Sequence, residues 1–169
     1  MRRGITRQRT EELVQTIREK VPGIAIRTTL IAGHPGETEQ DFKDLCDFVL
    51  RNKFDRLGIF TYSHEEGTHA GTLDDDVPQE VKEERAAIVM ELQQEISTQI
   101  NKTRVGKTLK VLFDRKEGGY YIGRTEFDSP EVDNEVLVSA KDNYVRIGDF
   151  ANVLIESAED FDLYGKIVE

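Results

Sequence analysis

Cysteine is nearly missing from this sequence: Cys46 is the only one in 169 residues. A lone thiol excludes an internal disulfide framework and suits a reducing compartment. Long apolar runs are missing too. No stretch of about 18 apolar residues occurs, so no membrane-spanning helix is expected. The amino terminus, MRRGITRQRT, is basic but has no apolar segment after it, so it does not read as a secretion signal. These features together point to the cytoplasm. Positive charge is the third shortage. Lys and Arg number 23 against 33 Asp and Glu, a net of −10. A protein that grips a phosphate backbone needs a positive face, so the deficit counts against nucleic acid and favours basic partners.

The residues that are present fall into two patterns. Residues 5–21 read as a helix capped by Thr6, with Leu13, Val14, Ile17 and Val21 at helical spacing, ended by Pro22-Gly23. Ile24 to Ala32 is apolar and β-branched without alternation, as in a strand of a parallel sheet. His34-Pro35-Gly36 turns the chain, and Thr38 caps a second helix with Asp41 placed to complete a capping box. Phe42, Leu45, Cys46 and Val49 form its inner stripe. Arg56 to Tyr62 reads as a second strand. Helix–strand alternation is the mark of right-handed crossover units. Two such strands make no complete sheet, so the expectation is an incomplete parallel α/β domain, part of a larger one.

Residues 63–77 read as a loop. Pro78 opens a long helix reaching about Arg104, with Asp74, Asp75 and Asp76 suiting the positive end of its dipole. Val81, Ile88, Leu92, Ile96 and Ile100 form its expected apolar seam. From Val105 the pattern changes to short alternating runs, 108–113, 120–124, 136–138, 151–156 and 163–168, separated by turn residues. About five short strands in about 65 residues predict a small OB-like β-barrel. The fold class is therefore α/β followed by all-β. Its expected parts are 1–77, a connecting helix 78–104 packed on the first part, and 105–169.

Two strings can carry chemistry. IAGHPGET, Ile31 to Thr38, leaves a strand at its carboxyl end, where α/β folds place ligands. Gly33 can let a flat ligand approach the backbone and Ile31 can offer an apolar face; a plain turn is the competing reading. The turn lacks the spacing and the lysine of a Walker phosphate loop. Glu37, near a helix amino terminus, is favourable there without any ligand. The second string, FTYSHEEGTHAG, Phe60 to Gly71, ends the next strand. His34, His64 and His69 with a glutamate are a conceivable metal set, but their spacing matches no zinc motif and solvated loop histidines are the better reading. Cys46 reads as buried filler.

RTTLIAGHPGETEQDF, FDRLGIFTYSHEEGTHA, VPQEVKEER and ELQQEIS stand in the order and spacing of the radical-SAM methylthiotransferases, which the chain resembles over essentially its whole length. VGKTLKVLFD, GRTEFDSPEVDNEV and GDFANVLIESAEDFDLYGKI resemble a TRAM domain. The resemblance implies the end of a TIM-like radical-SAM barrel, then TRAM. It implies S-adenosylmethionine and two [4Fe–4S] clusters in a full-length enzyme. Each cluster takes three cysteines, which Cys46 alone cannot provide, so this chain by itself is expected to bind no cluster and to be inactive. Ile31 and Gly33 correspond to the strand motif lying against the adenine, and Phe60 and Tyr62 to a wall of that pocket. Three residues separate Gly33 from Glu37 where the motif has two, which leaves Glu37 without an implied role. His34 stands where an aromatic residue is usual.

Two branches of that family differ in substrate. The RimO type modifies the β-carbon of an aspartate in a small-subunit ribosomal protein. The MiaB type modifies a tRNA adenosine. Residues 105–169 hold eight Lys/Arg against fourteen Asp/Glu, a net of −6. That balance and the string GRTEFDSPEVDNEV resemble the RimO type. A basic ribosomal protein is the expected partner, tRNA less so, met by Asp128, Glu131, Asp133 and Glu135. A binding module without catalysis is the reading from a different class.

Overall fold

The computed structural model describes residues 4–130 and 132–169. Two compact units divide the chain, one up to Gln93 and one from Gln94. Among the described residues, no helix is long and apolar enough to cross a membrane.

The first unit opens with α1 (Arg7–Lys20), whose amino-terminal cap is Thr6, accepting from the Arg9 amide. β1 (Arg27–Ala32) follows, then α2 (Glu39–Asn52) and β2 (Arg56–Thr61). α2 starts as its sequence requires. Thr38 accepts from the Asp41 amide while the Asp41 carboxylate takes the Thr38 amide at 2.9 Å, so both orphan donors are satisfied. The two strands pair in parallel, Arg27 beside Arg56 through Ala32 beside Thr61. The two faces of this small sheet differ. Ala32 and Leu57 are buried on one; Phe60 on the other is 65% exposed. Buried Val14, Phe42 and Val49 supply the helical side of the core.

α3 (Gln79–Lys102) corrects one expectation. Of the expected seam, Ile96 is buried, Val81, Leu92 and Ile100 are half-buried and Ile88 is exposed. The stripe that is buried instead runs through Lys82, Arg85, Val89, Gln93, Ile96, Ser97 and Asn101, and most of it is polar. Its Lys82, Arg85, Gln93 and Asn101 side chains hydrogen-bond away from the helix. Gln93 donates to the Phe54 carbonyl, and Asn101 to the carbonyls of Glu159 and Asp160. Buried polar groups are tolerated where they are paired in this way.

The second unit is a closed barrel of β3 (Thr108–Glu117), β4 (Tyr120–Thr125), β5 (Val136–Ser139), β6 (Phe150–Ala158) and β7 (Leu163–Val168), in the order β3-β4-β5-β7-β6. All neighbours are antiparallel except β5 and β7. Val111, Phe113, Val136, Val138, Val153, Ile155 and Leu163 fill it. The barrel bends at two matched places. The register shifts after Phe113 in β3 and after Ile155 in β6, and the residues opposite are Gly123 and Gly165. A Cβ on Gly123 would lie 2.5 Å from the Leu112 oxygen, and one on Gly165 2.4 Å from the Leu154 oxygen. A bulge opposite a glycine lets two strands close in sharply enough to complete a small barrel.

Candidate functional site

The carboxyl ends of β1 and β2 bring the sequence-derived candidates together in two pairs. Ile31 and Phe60 are direct partners in the strand register. Beside them Gly58 adds no side chain, and a Cβ built there meets nothing within 4 Å. Ile31, Gly58 and Phe60 thus form a flat, open apolar patch on the sheet. Its chemistry suits the face of an aromatic ring more than a charged group.

Gly33 and Tyr62 form the second pair, and here the structure corrects the expectation. Gly33 has φ +74°, and its Cβ position would lie 2.2 Å from Cγ of Lys82. The space that the sequence reserves for a ligand is filled by the aliphatic stem of that lysine. Tyr62 is buried rather than lining an open wall. Its amide donates to the Ala32 carbonyl at 2.8 Å, its ring meets His34 edge-on, and the Lys82 ammonium lies 5.1 Å from its centroid. The Tyr62 hydroxyl is buried without a hydrogen-bond partner.

The turn between β1 and α2 is tied down by Glu37, Asp75 and Asp76 together with Lys82 and Arg85, two residues given no role in the sequence reading. Glu37 accepts from the Gly33 amide at 3.0 Å and from Arg85 Nη1 at 2.8 Å, and both charged side chains are largely buried. Asp76 accepts from the Gly36 amide at 2.7 Å, and Asp75 pairs with Lys82 at 2.6 Å. The aspartate run therefore does more than face a helix dipole. Lys and Arg three apart on a helix, beside half-buried apolar residues, were the available signal for these anchors.

The histidines remain apart in character. His64 and His69 are exposed, and His34 is half-buried with Nδ1 3.0 Å from the Pro35 oxygen. Among the described residues, no group of three His, Cys, Asp or Glu side chains is arranged to hold a metal ion. Cys46 is half-buried, and burial pushes its thiol pKa up, away from nucleophile character.

The acidic turn of the barrel is more self-contained than its sequence suggests. Asp128 is buried and accepts from the Thr125 hydroxyl. Asp133 accepts from the Ser129 amide at 2.7 Å, and Glu135 pairs with Arg115 at 2.7 Å. Glu131 lies outside the described residues. Among the described residues of that set, Asp128, Asp133 and Glu135 are thus braced by these contacts, with Asp133 and Glu135 half-buried.

Residues 105–168 match the TRAM domain model. The whole chain is 67% identical to the ribosomal protein uS12 methylthiotransferase RimO of Cytophaga hutchinsonii, covering 39% of that protein. It is 55% identical over 166 residues to the RimO of Flavobacterium johnsoniae, 98% of the chain and 38% of that protein. With the RimO of Phocaeicola vulgatus it shares 53% over 169 residues, again 39% of the relative. The chain spans about two fifths of the length of these relatives. Full-length alignment at such identity places it in the family of the RimO methylthiotransferases, as a stretch homologous to their carboxy-terminal part, with a TRAM domain at residues 105–168.

Proposed function

We propose that this chain is the carboxy-terminal stretch of a cytoplasmic radical-SAM enzyme that methylthiolates an aspartate β-carbon in a small-subunit ribosomal protein. The observation that carries the reading is 67% identity along the whole chain to a uS12 methylthiotransferase. On it, residues 1–77 are the end of a TIM-like barrel, 78–104 a helix packed on that barrel and 105–169 the substrate-recognising module. The two parallel strands with crossover helices suit such a barrel piece.

Ile31 and Phe60 are the residues that would hold S-adenosylmethionine, by packing on the adenine face, and the open patch around Gly58 fits that ring. Gly33 and Tyr62 act just beyond the patch, fixing the strand ends. Glu37, clamped by Arg85 and the Gly33 amide, keeps the turn closed. Bound S-adenosylmethionine and the two [4Fe–4S] clusters supply the radical that removes hydrogen from an unactivated carbon, and the sulfur and methyl that replace it. The cluster cysteines belong to other segments of the longer protein.

The acidic TRAM module, with its net of −6, recognises the basic protein substrate. Asp133 and Glu135 are the carboxylates for that role. Glu135 is paired with exposed Arg115, and exposed pairs are weak, so a substrate cation can replace Arg115. Asp128 serves the turn, and Glu131 completes the proposed acidic set.

The test is to offer the full-length, anaerobically cluster-loaded protein uS12 and tRNA in parallel and to weigh the products. A methylthio group on an aspartate of uS12 is expected. Modification of a tRNA adenosine instead would assign the chain to the MiaB type.

A further inference from the structure

We propose that Lys82 is a positioning residue for the adenine patch: it fixes the strand ends that set Ile31 beside Phe60. The proposal rests on the reading of Ile31 and Phe60 as adenine-binding residues.

Lys82 is 3% exposed, and an ammonium taken from water is strongly disfavoured unless it is well paired. Methionine or leucine would fill much of the same volume without that cost. The charge therefore calls for a task, and the contacts show which. Nζ is 2.6 Å from Asp75 Oδ2 and 3.5 Å from the Tyr62 carbonyl oxygen. The stem covers Gly33, and the ammonium faces the Tyr62 ring. One side chain thus touches the residue that follows β1, the residue that follows β2 and the loop before α3. The last rung between the strands, Tyr62 amide to Ala32 carbonyl, lies directly under it. Ile31 precedes Ala32 by one residue and Phe60 precedes Tyr62 by two. Their relative placement is inherited from that rung. Asp76, next to the lysine's partner, holds the Gly36 amide and so ties the other end of the turn to the same loop.

A lysine that only stabilised the fold would leave ligand affinity unchanged once the protein is folded. The experiment therefore uses the full-length, cluster-loaded enzyme with Lys82→Met, Asp75→Asn and Phe60→Ala. Three quantities are read: the Kd for S-adenosylmethionine by equilibrium dialysis, the Kd for the ribosomal protein, and hydrogen exchange at the Tyr62 amide without ligand. Lys82→Met keeps an aliphatic stem over Gly33, and the milder Asp75→Asn carries the test if Lys82→Met does not fold. We expect either variant to weaken S-adenosylmethionine binding, about tenfold for Lys82→Met. Tyr62 exchange should be faster and ribosomal-protein affinity unchanged. Native S-adenosylmethionine affinity in both variants, with Phe60→Ala impaired, would overturn the positioning role while leaving the patch assignment standing. Equal loss of both affinities would also overturn it, as general destabilisation. Native affinity in Phe60→Ala would instead remove the adenine reading itself.

Discussion

At the level of single residues, Gly33 is a doubly constrained position in the first unit. Two separate demands act on it: a left-handed backbone, φ +74°, and a Lys82 methylene where a Cβ would stand. Gly33→Ala should therefore destabilise the chain by more than the roughly 1–2 kcal/mol that the backbone conformation alone costs. Pairing it with Lys82→Ala removes the collision but not the dihedral strain. Chemical denaturation of the two single variants and the double variant should give a sum of separate losses larger than the loss of the pair. Simple additivity would mean that the collision relaxes away. Arg85 is a different case. Its guanidinium and Glu37 are both buried, so Arg85→Met strands a carboxylate, with an expected loss of about 3 kcal/mol. Neither consequence is visible in the string IAGHPGET, because the partners come from a helix 45 to 50 positions away. Asp162 in the barrel carries a pH signature. Burial raises its carboxyl above the ordinary value. A raised folded pKa means that the folded chain holds its proton more tightly than the unfolded chain, so this residue's contribution falls as pH rises through that range. Asp162→Asn should flatten the dependence of barrel stability on pH between acid and neutral solution. A steeper slope in the variant would contradict the assigned cause.

At the level of elements, boundaries set by local chemistry were legible and those set by distant packing were not. The Thr38–Asp41 capping box could be read from four residues because both of its hydrogen bonds lie within them. Thr38→Ala should cost about 1 kcal/mol. The Thr38 hydroxyl and amide hold the Asp41 carboxyl below its ordinary pKa, so the box stabilises α2 above the unfolded value and is lost as pH falls through the folded one. Amide exchange in the first turn of α2, followed from neutral to acid pH, measures this directly. The barrel strands were also legible where one face meets the core. β3 runs past its expected end, to Glu117, because beyond its bulge it leaves the core and the alternation fades into exposed charge; β6 runs on to Ala158, which packs against the core beyond its bulge. α3 was misread for the opposite reason. A seam sought in apolar residues cannot reveal a stripe of Lys, Arg, Gln and Asn. Asn101 shows how much such a residue carries: it is 0% exposed, donates to two carbonyls and accepts from Asn134. Asn101→Ala removes all three hydrogen bonds and leaves the buried Asn134 amide without this partner, and should cost about 1–3 kcal/mol in urea unfolding of the barrel.

At the level of the whole chain, the two units differ in how their strands end. Each barrel strand has a neighbour on both sides, with ladders running β3-β4-β5-β7-β6 and back to β3. β1 and β2 have only each other among the described residues, so each presents one open edge. Backbone groups on an open edge meet water and exchange by small local openings, whereas those inside a closed ladder wait for larger ones. In the 169-residue chain, the amides of Val111, Phe113, Val153 and Ile155 should therefore exchange last. Those of β1 that face away from β2 should exchange orders of magnitude sooner. The same measurement on the full-length relative tests the proposal that residues 1–77 are the end of a larger barrel. If a preceding strand pairs with β1 there, its outward amides should become as protected as those of the TRAM barrel, and the barrel's own protection should not change. Unchanged fast exchange along β1 in the longer protein would mean that its edge stays open, and the reading of this unit as part of a closed barrel would fail.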